Sequence, residues 1–271
     1  MPEPRPRALD APKLLFAMPA GRRDFSALDT AARLAQITGA SLRALLIEDP
    51  VLKQAADLPL TREYDRRSGS ERAIDHHRVS RHLRVHERTA LEHLQQLAEV
   101  LQLSSTLHVA RGDYMREALR AALDADFAFI DPSARRHTAT LSDAERRWLL
   151  GRPVRRSGTA RQALRGRVVC AACFDDAEND RVLAVARSIA TGERASLQRL
   201  RYVATPSQLR QSATERSGAE LTPETLLGLV SQVQVQRGAL LVLPRRALQA
   251  DTVERHMEIL ARMPCPVLLV E

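Results

Sequence analysis

Two kinds of apolar spacing alternate along this chain. Short unbroken runs, at 14–18, 42–47, 127–130, 239–243 and 267–270, have the length and content of strands buried on both faces. Between them, apolar residues recur at steps of three and four. Ala27, Leu28, Ala31, Leu34 and Ala35 mark one face of a helix. Asp24 or Ser26 is placed to cap its start and Gly39 to end it. Leu83, Ala90, Leu94, Leu97 and Leu101 form the buried stripe of a long helix over 78–103. Strands alternating with helices predict a mostly parallel sheet covered on both faces.

The pattern occurs twice. "KLLFAMPAGRRDFSALDTAARLAQITGASLRALLIE" (13–48) runs strand, turn, helix, glycine, strand, and "RVVCAACFDDAENDRVLAVARSIATGERASLQRLRYVA" (167–204) repeats that order, with Gly192 in the place of Gly39. Later blocks match too. Each half has a strand, a proline (Pro132, Pro244), an arginine pair, a helix and a Pro-Val. Two copies of one α/β unit account for this. The expected division is a disordered lead-in at 1–12, a first domain at 13–155, a linker at 156–166 and a second domain at 167–271. The first domain carries an irregular excursion at 49–77 with turn signals at Leu58-Pro59 and Ser68-Gly69. Its last strand, in "RPVRRSG", is expected to be short or displaced, because arginines stand where the second half has "CPVLLVE".

Composition narrows the classes. Aromatic residues make up 3% of the chain, so the core is aliphatic. No apolar run approaches the roughly 20 residues that span a bilayer, and the first residues lack the apolar segment of a secretory signal. Three cysteines are no disulfide framework, so a cytoplasmic protein is expected. The +8 formal charge is concentrated. Ten arginines and two acids fall in 135–167, which leaves the rest of the chain neutral. Such a segment, with Arg146, Arg147, Arg152, Arg155 and Arg156 at its centre, is a solvated connector or a docking site for an acidic partner. Its one aromatic, Trp148, gives little support for stacking on single-stranded nucleic acid.

The first strand and helix, the block "ARGDYMREALRAALDADFAFI", the segment "LLIEDPVLKQAADLPLTREYD" and the closing "CPVLLVE" together resemble the universal stress protein family in its tandem form. The resemblance covers 12–155 and 166–271. It implies an α/β fold of two tandem domains, adenine-nucleotide-hydrolase-like, each an open, mostly parallel five-stranded sheet with helices on both faces. It also implies a stress-linked protein that pairs as a homodimer or as an internal pseudo-dimer. In the family the last strand often pairs across a dimer, which marks Val267, Leu268, Leu269 and Val270 as a partner-binding edge.

Members that bind ATP have an Asp at the end of the first strand and a Gly-x2-Gly-x9-Gly-Ser/Thr loop after the fourth, where amide N–H groups cradle phosphate. This sequence has Pro19 at the first position and no glycine in "DPSARRHTATLSDAERR". In the second half Asp175 matches the acid, yet "LPRRALQADTVERH" has no glycine. ATP binding in the family's usual way, and any resident cofactor, are therefore not expected. What remains is an altered anion site of Asp175 with Arg135, Arg136, Arg245 and Arg246, since guanidinium can hold phosphate through its fork.

Other constellations point to structure. Cys170 and Cys173 lie inside a strand run, not at a helix N-terminus where a thiol is activated, and read as small buried hydrophobes, as does Cys265. His82, His86 and His93 share a stripe of the long helix and read as a solvent-facing edge, with no Cys or carboxylate evidently placed to complete a metal site. Arg-Gly-Asp at 111–113 is a turn. No nucleophile, base and orienting acid assemble from neighbouring loops. The expected function is a non-enzymatic regulator or adaptor working through protein contacts, with a nucleotide or anion sensor as the alternative.

Overall fold

The structure, a computed structural model, describes residues 11–20, 24–58, 62–64, 69–73, 76–132, 164–173, 178–201, 223–245, 260 and 263–271. The first half gives β1 (Lys13–Pro19), α1 (Ser26–Thr38), β2 (Ser41–Glu48), α2 (Pro50–Asp57), a hairpin of β3 (Arg62–Tyr64) and β4 (Glu71–Ala73), α3 (His76–Leu101), β5 (Ser105–Arg111), α4 (Tyr114–Ala122) and β6 (Phe127–Ile130). The second gives β7 (Val168–Cys173), α5 (Glu178–Gly192), β8 (Ser196–Arg201), α6 (Pro223–Val235), β9 (Gly238–Pro244) and β10 (Val267–Val270).

Eight strands form one continuous mixed sheet in the order β5-β2-β1-β6-β10-β9-β7-β8. Every pairing is parallel except that of β10 with β6. The halves thus run in opposite directions and meet at that one antiparallel seam. Among the described residues each half gives four strands to a shared sheet. The slot beside β6 is filled by β10 of the second half. The strand expected near 153–157 lies outside the described residues.

Strand alternation sorts the core into two layers. Leu15, Ala17, Ala128, Ile130, Cys170, Leu241 and Val267 face the side covered by α4 and α6. Leu14, Phe16, Phe129, Val169, Val242 and Leu268 face α1, α3 and α5. Each layer crosses the boundary between halves. Phe16 and Phe129 meet with ring centroids 5.7 Å apart, a contact worth roughly 1 kcal/mol beyond area burial.

Helix ends show how the halves differ. Asp24 Oδ1 accepts from the Ser26 N–H at 2.9 Å, which starts α1. Gly39 closes it in the left-handed region, at φ 66°. The spacing from strand to strand is the same in the second half, Val168 pairing with Ser196 as Lys13 pairs with Ser41, but the helix glycine sits two residues earlier. Arg194 takes the left-handed position, at φ 51°, and Gly192 stays within α5. There it faces α1 closely: a Cβ on Gly192 would lie 3.0 Å from Ile37 Cδ1. Glu193, with a side chain 4% exposed, pairs with Arg33 of α1 at 2.8 Å. This pair is a contact between halves.

Two expectations are corrected. The excursion is not irregular throughout, because 50–57 is helical and a hairpin follows. Asp49 Oδ1 accepts from the Val51 N–H at 2.9 Å, with Pro50 opening the helix, a capping signal easily taken for a turn. The histidine stripe is not a solvent-facing edge. His82 is exposed, but His86 is buried. His93 stacks on Phe25 at 5.1 Å, with Nε2 2.6 Å from Asp29 Oδ1, so the stripe turns inward onto α1.

Candidate functional site

In an open α/β sheet, ligands sit beyond the carboxyl ends of the strands where strand order reverses. In the first half that point is the crevice between β1 and β6. The elements forming it are tied together by the chain itself. The Tyr114 hydroxyl, at the start of α4, donates to the Ala17 carbonyl at 3.1 Å and lies 3.5 Å from the Asp131 carbonyl. Asp113 caps α4, accepting from the Arg116 N–H at 3.0 Å, and so fixes where Tyr114 starts. The Ala20 N–H donates to the Ile47 carbonyl at 2.7 Å, and the Gly112 N–H to the Glu48 carbonyl at 3.1 Å.

Among the described residues, the buried charges at this end are negative. Glu48 and Asp131 are buried, at 8% and 5% exposure. Arg111 Nε donates to Glu48 Oε2 at 3.2 Å, with the arginine side chain 74% exposed. Pro19 ends β1. The Arg-Gly-Asp turn is accounted for: Arg111 reaches Glu48, and Asp113 caps a helix. Arg135 and Arg136 lie outside the described residues.

In the second half, Arg245 follows β9. Its guanidinium does not turn toward the end of its own parallel set. Nη1 donates to the carbonyls of Ala122 (3.3 Å), Leu123 (3.1 Å) and Ala125, and Nη2 lies 2.7 Å from Glu271 Oε1. The antiparallel seam explains this. It sets the carboxyl end of β9 near the amino end of β6, beside the C-terminus of α4. There a cation satisfies orphan carbonyls and meets the negative end of the helix dipole. Asp126 completes the junction, its carboxylate accepting from the Lys13 N–H at 2.7 Å and its carbonyl from the Glu271 N–H at 3.0 Å. The phosphate-holding role expected of Arg245 is thus replaced by a structural one. Asp175 and Arg246 lie outside the described residues.

The partner-binding expectation is corrected for Val267, Leu268, Leu269 and Val270. β10 is no edge. It pairs with β9 on one side and β6 on the other, and all four residues are buried. The chain's own first half takes the place foreseen for a second chain. Arg146, Arg147, Arg152, Arg155 and Arg156 lie outside the described residues.

Cys170 and Cys265 are buried in the same core layer. Burial pushes the Cys170 thiol up to about 11. Burial, with Cys170 nearby, pushes Cys265 up to about 12, against a smaller opposing effect of a hydrogen bond from the Leu241 backbone. Both are inert thiols at neutral pH. Among the described residues no three His, Cys, Asp or Glu side chains are grouped to hold a metal ion, and no helix is long and apolar enough to cross a membrane.

Sequence reading missed Tyr114, Glu48, Asp126, Glu193 and Glu271. Glu193 left no signal of its own, because the spacing from strand to strand is the same in the two halves. The others act through partners distant in sequence.

No protein-family model matches the chain, and no curated protein matches it. Among solved structures it is similar to a universal stress protein from Archaeoglobus fulgidus, at 12% identity over 95% of this chain and 96% of that one, with a TM-score of 0.44. It is also similar to a putative universal stress protein from Pseudomonas aeruginosa, at 17% identity over 96% and 93%, with a TM-score of 0.45. A protein of unknown function from the same species matches at 17% identity over 96% and 92%, also with a TM-score of 0.45.

Proposed function

We propose that the chain is a universal-stress-type protein with two joined halves, acting as a non-enzymatic regulator or adaptor through protein contacts and not through ATP. The strand orders support the family reading. Among the described strands the first half runs third, second, first, fourth and the second runs second, first, third, fourth. In both, the first strand lies between the second and a later one, the reversal of a doubly wound sheet. The residue blocks that resemble the family fall on the same elements.

The observation that carries the functional reading is the charge at the first crevice. Asp131 is buried there, just after β6, Glu48 is buried at the same end of the sheet on β2, paired with Arg111, and the hydroxyl of Tyr114 ties β1 to β6. A polyphosphate would meet carboxylates in a low-dielectric setting, where like-charge repulsion is strongest. Arg245, the described member of the loop arginine pairs, is committed to α4 and Glu271.

The test is equilibrium dialysis of purified protein against ATP, ADP, AMP and a cyclic nucleotide, with small molecules extracted in parallel from a low-salt pull-down. The expected result is no saturable nucleotide binding and a protein that co-purifies specifically. Stoichiometric nucleotide in the eluate would overturn the reading and favour an anion sensor.

A further inference from the structure

α3 packs on α1, α2 and β5 through Leu83, Ala90 and Leu94. Its opposite face carries a second, separate pattern. His77, Arg81, Arg84, Arg88 and Leu91 follow one another at steps of four, three, four and three residues. All five are exposed: Leu91 at 39% and the Arg88 side chain at 82%. Val85 flanks the stripe at 59% exposure. Steps averaging 3.5 wind a stripe slowly around a helix, by about 20° per heptad, the spacing at which a second helix can follow it and interdigitate.

The charges on α3 do not serve the helix. Arg78, Arg81, Arg84 and Arg88 fall in its first half with one acid, Glu87, and Glu92 and Glu99 fall in its second. The first turn has no acidic residue and the last no basic one. The helix dipole favours the reverse placement. Arg88 and Glu92 pair at 2.9 Å with the base on the N-terminal side, the weaker orientation, and the pair is largely solvated. A local rule broken without local compensation points to a requirement outside the helix.

We infer that the outward face of α3 is a docking seam for an acidic, amphipathic helical segment of a partner protein, an inference that rests on the reading of the chain as working through protein contacts. Carboxylates at matching spacing would meet Arg81, Arg84 and Arg88, and apolar residues would cover Val85 and Leu91. A nucleic acid would pair the arginines and leave both apolar side chains wet, and the seam offers no aromatic for base stacking. A lipid surface calls for an apolar helix face to insert, and that face of α3 is already committed to the core.

The test uses a labelled synthetic peptide, helix-forming, with glutamates at the seam spacing and flanking leucines, followed by anisotropy at low salt. Three controls accompany it: a scrambled peptide of the same composition, a DNA duplex and phosphatidylserine vesicles. The ordered peptide is expected to bind saturably and the scrambled one about tenfold more weakly. Arg81→Glu with Arg84→Glu is expected to weaken binding about tenfold or more, and Arg81→Gln with Arg84→Gln by less, at unchanged thermal stability. Equal binding of the scrambled peptide, tighter binding of duplex or vesicles, or indifference to the charge reversal would overturn the seam. A co-purifying partner retained by the charge-reversed protein would overturn the seam and leave the protein-contact reading standing. Stoichiometric nucleotide in the wild-type eluate would overturn that reading, and the seam with it.

Discussion

The Arg245 guanidinium lies 2.7 Å from the Glu271 carboxylate and donates to the carbonyls that end α4. One side chain after β9 thereby fastens the second half to a helix of the first. Its own side chain is 12% exposed and Glu271 is 51% exposed, so most of its contribution comes from the carbonyls. Arg245→Ala is expected to destabilise the fold by about 2 kcal/mol, the scale of losing charged hydrogen bonds at a helix end. Glu271→Gln, at the solvated side, is expected to cost under ~1 kcal/mol. Urea titrations of both variants decide this. A residue kept for a phosphate would leave stability unchanged when removed.

Arg33 and Glu193 provide a second fastening, on the other face of the sheet. Because Glu193 is buried and Arg33 half-buried, removing Arg33 alone leaves a buried carboxylate without its partner. A double-mutant cycle with Arg33→Ala and Glu193→Ala is expected to show a coupling of about 1–2 kcal/mol. The neighbouring Gly192 is held by shape. Gly192→Val is expected to cost about 1–3 kcal/mol through overpacking against Ile37, and Ile37→Ala to recover part of it. Melting temperatures of the single and paired variants check the compensation.

The sequence made the layered α/β fold legible, and for a physical reason. Buried parallel strands must be apolar throughout, and the helices covering them must be apolar on one face. The runs at 14–18 and 239–243 and the α1 stripe are written in local spacing. The junction was not legible. Whether β10 ends as an edge or pairs with β6 depends on how two halves meet, and both outcomes need the same buried Val267, Leu268, Leu269 and Val270. The arginine pair after β9 looked like a remnant phosphate loop because sequence records the position of Arg245 but not its direction. That direction follows from the antiparallel seam, which sets the end of β9 beside α4. Likewise the period of α3 separates one face from another, but not which part of a histidine stripe meets Phe25.

The thiols predict a pH dependence with a definite sign. In the folded protein Cys170 titrates near about 11 and Cys265 near about 12, against an ordinary value of 9.0. Both are raised, so their contribution is complete below pH 9. Above that the unfolded chain gains thiolate that the fold does not, and stability falls until the folded values are passed. Denaturation midpoints are expected to drop between pH 9 and about 11, and the drop to shrink in Cys170→Ala with Cys265→Ala. Labelling by a thiol reagent at pH 8 is expected to be slow at both residues in the native protein and fast in urea. Prompt native labelling at either residue would contradict the buried assignment.

β10 is the strand on which the single sheet depends. It gives β9 a parallel neighbour and β6 an antiparallel one, and its side chains enter both core layers, Val267 and Leu269 on one side, Leu268 and Val270 on the other. Leu269→Ala is therefore expected to cost about 2–5 kcal/mol, the range for emptying a filled core position. In dilute monomer the amides of Val267–Val270 are expected to exchange with solvent as slowly as those of β1, because both strands open only with the whole sheet. A strand reserved for a second chain would behave otherwise. Its amides would exchange quickly at low protein concentration and slow as concentration rises. Hydrogen exchange at two concentrations separates the cases, and concentration-independent protection of β10 is the expected result.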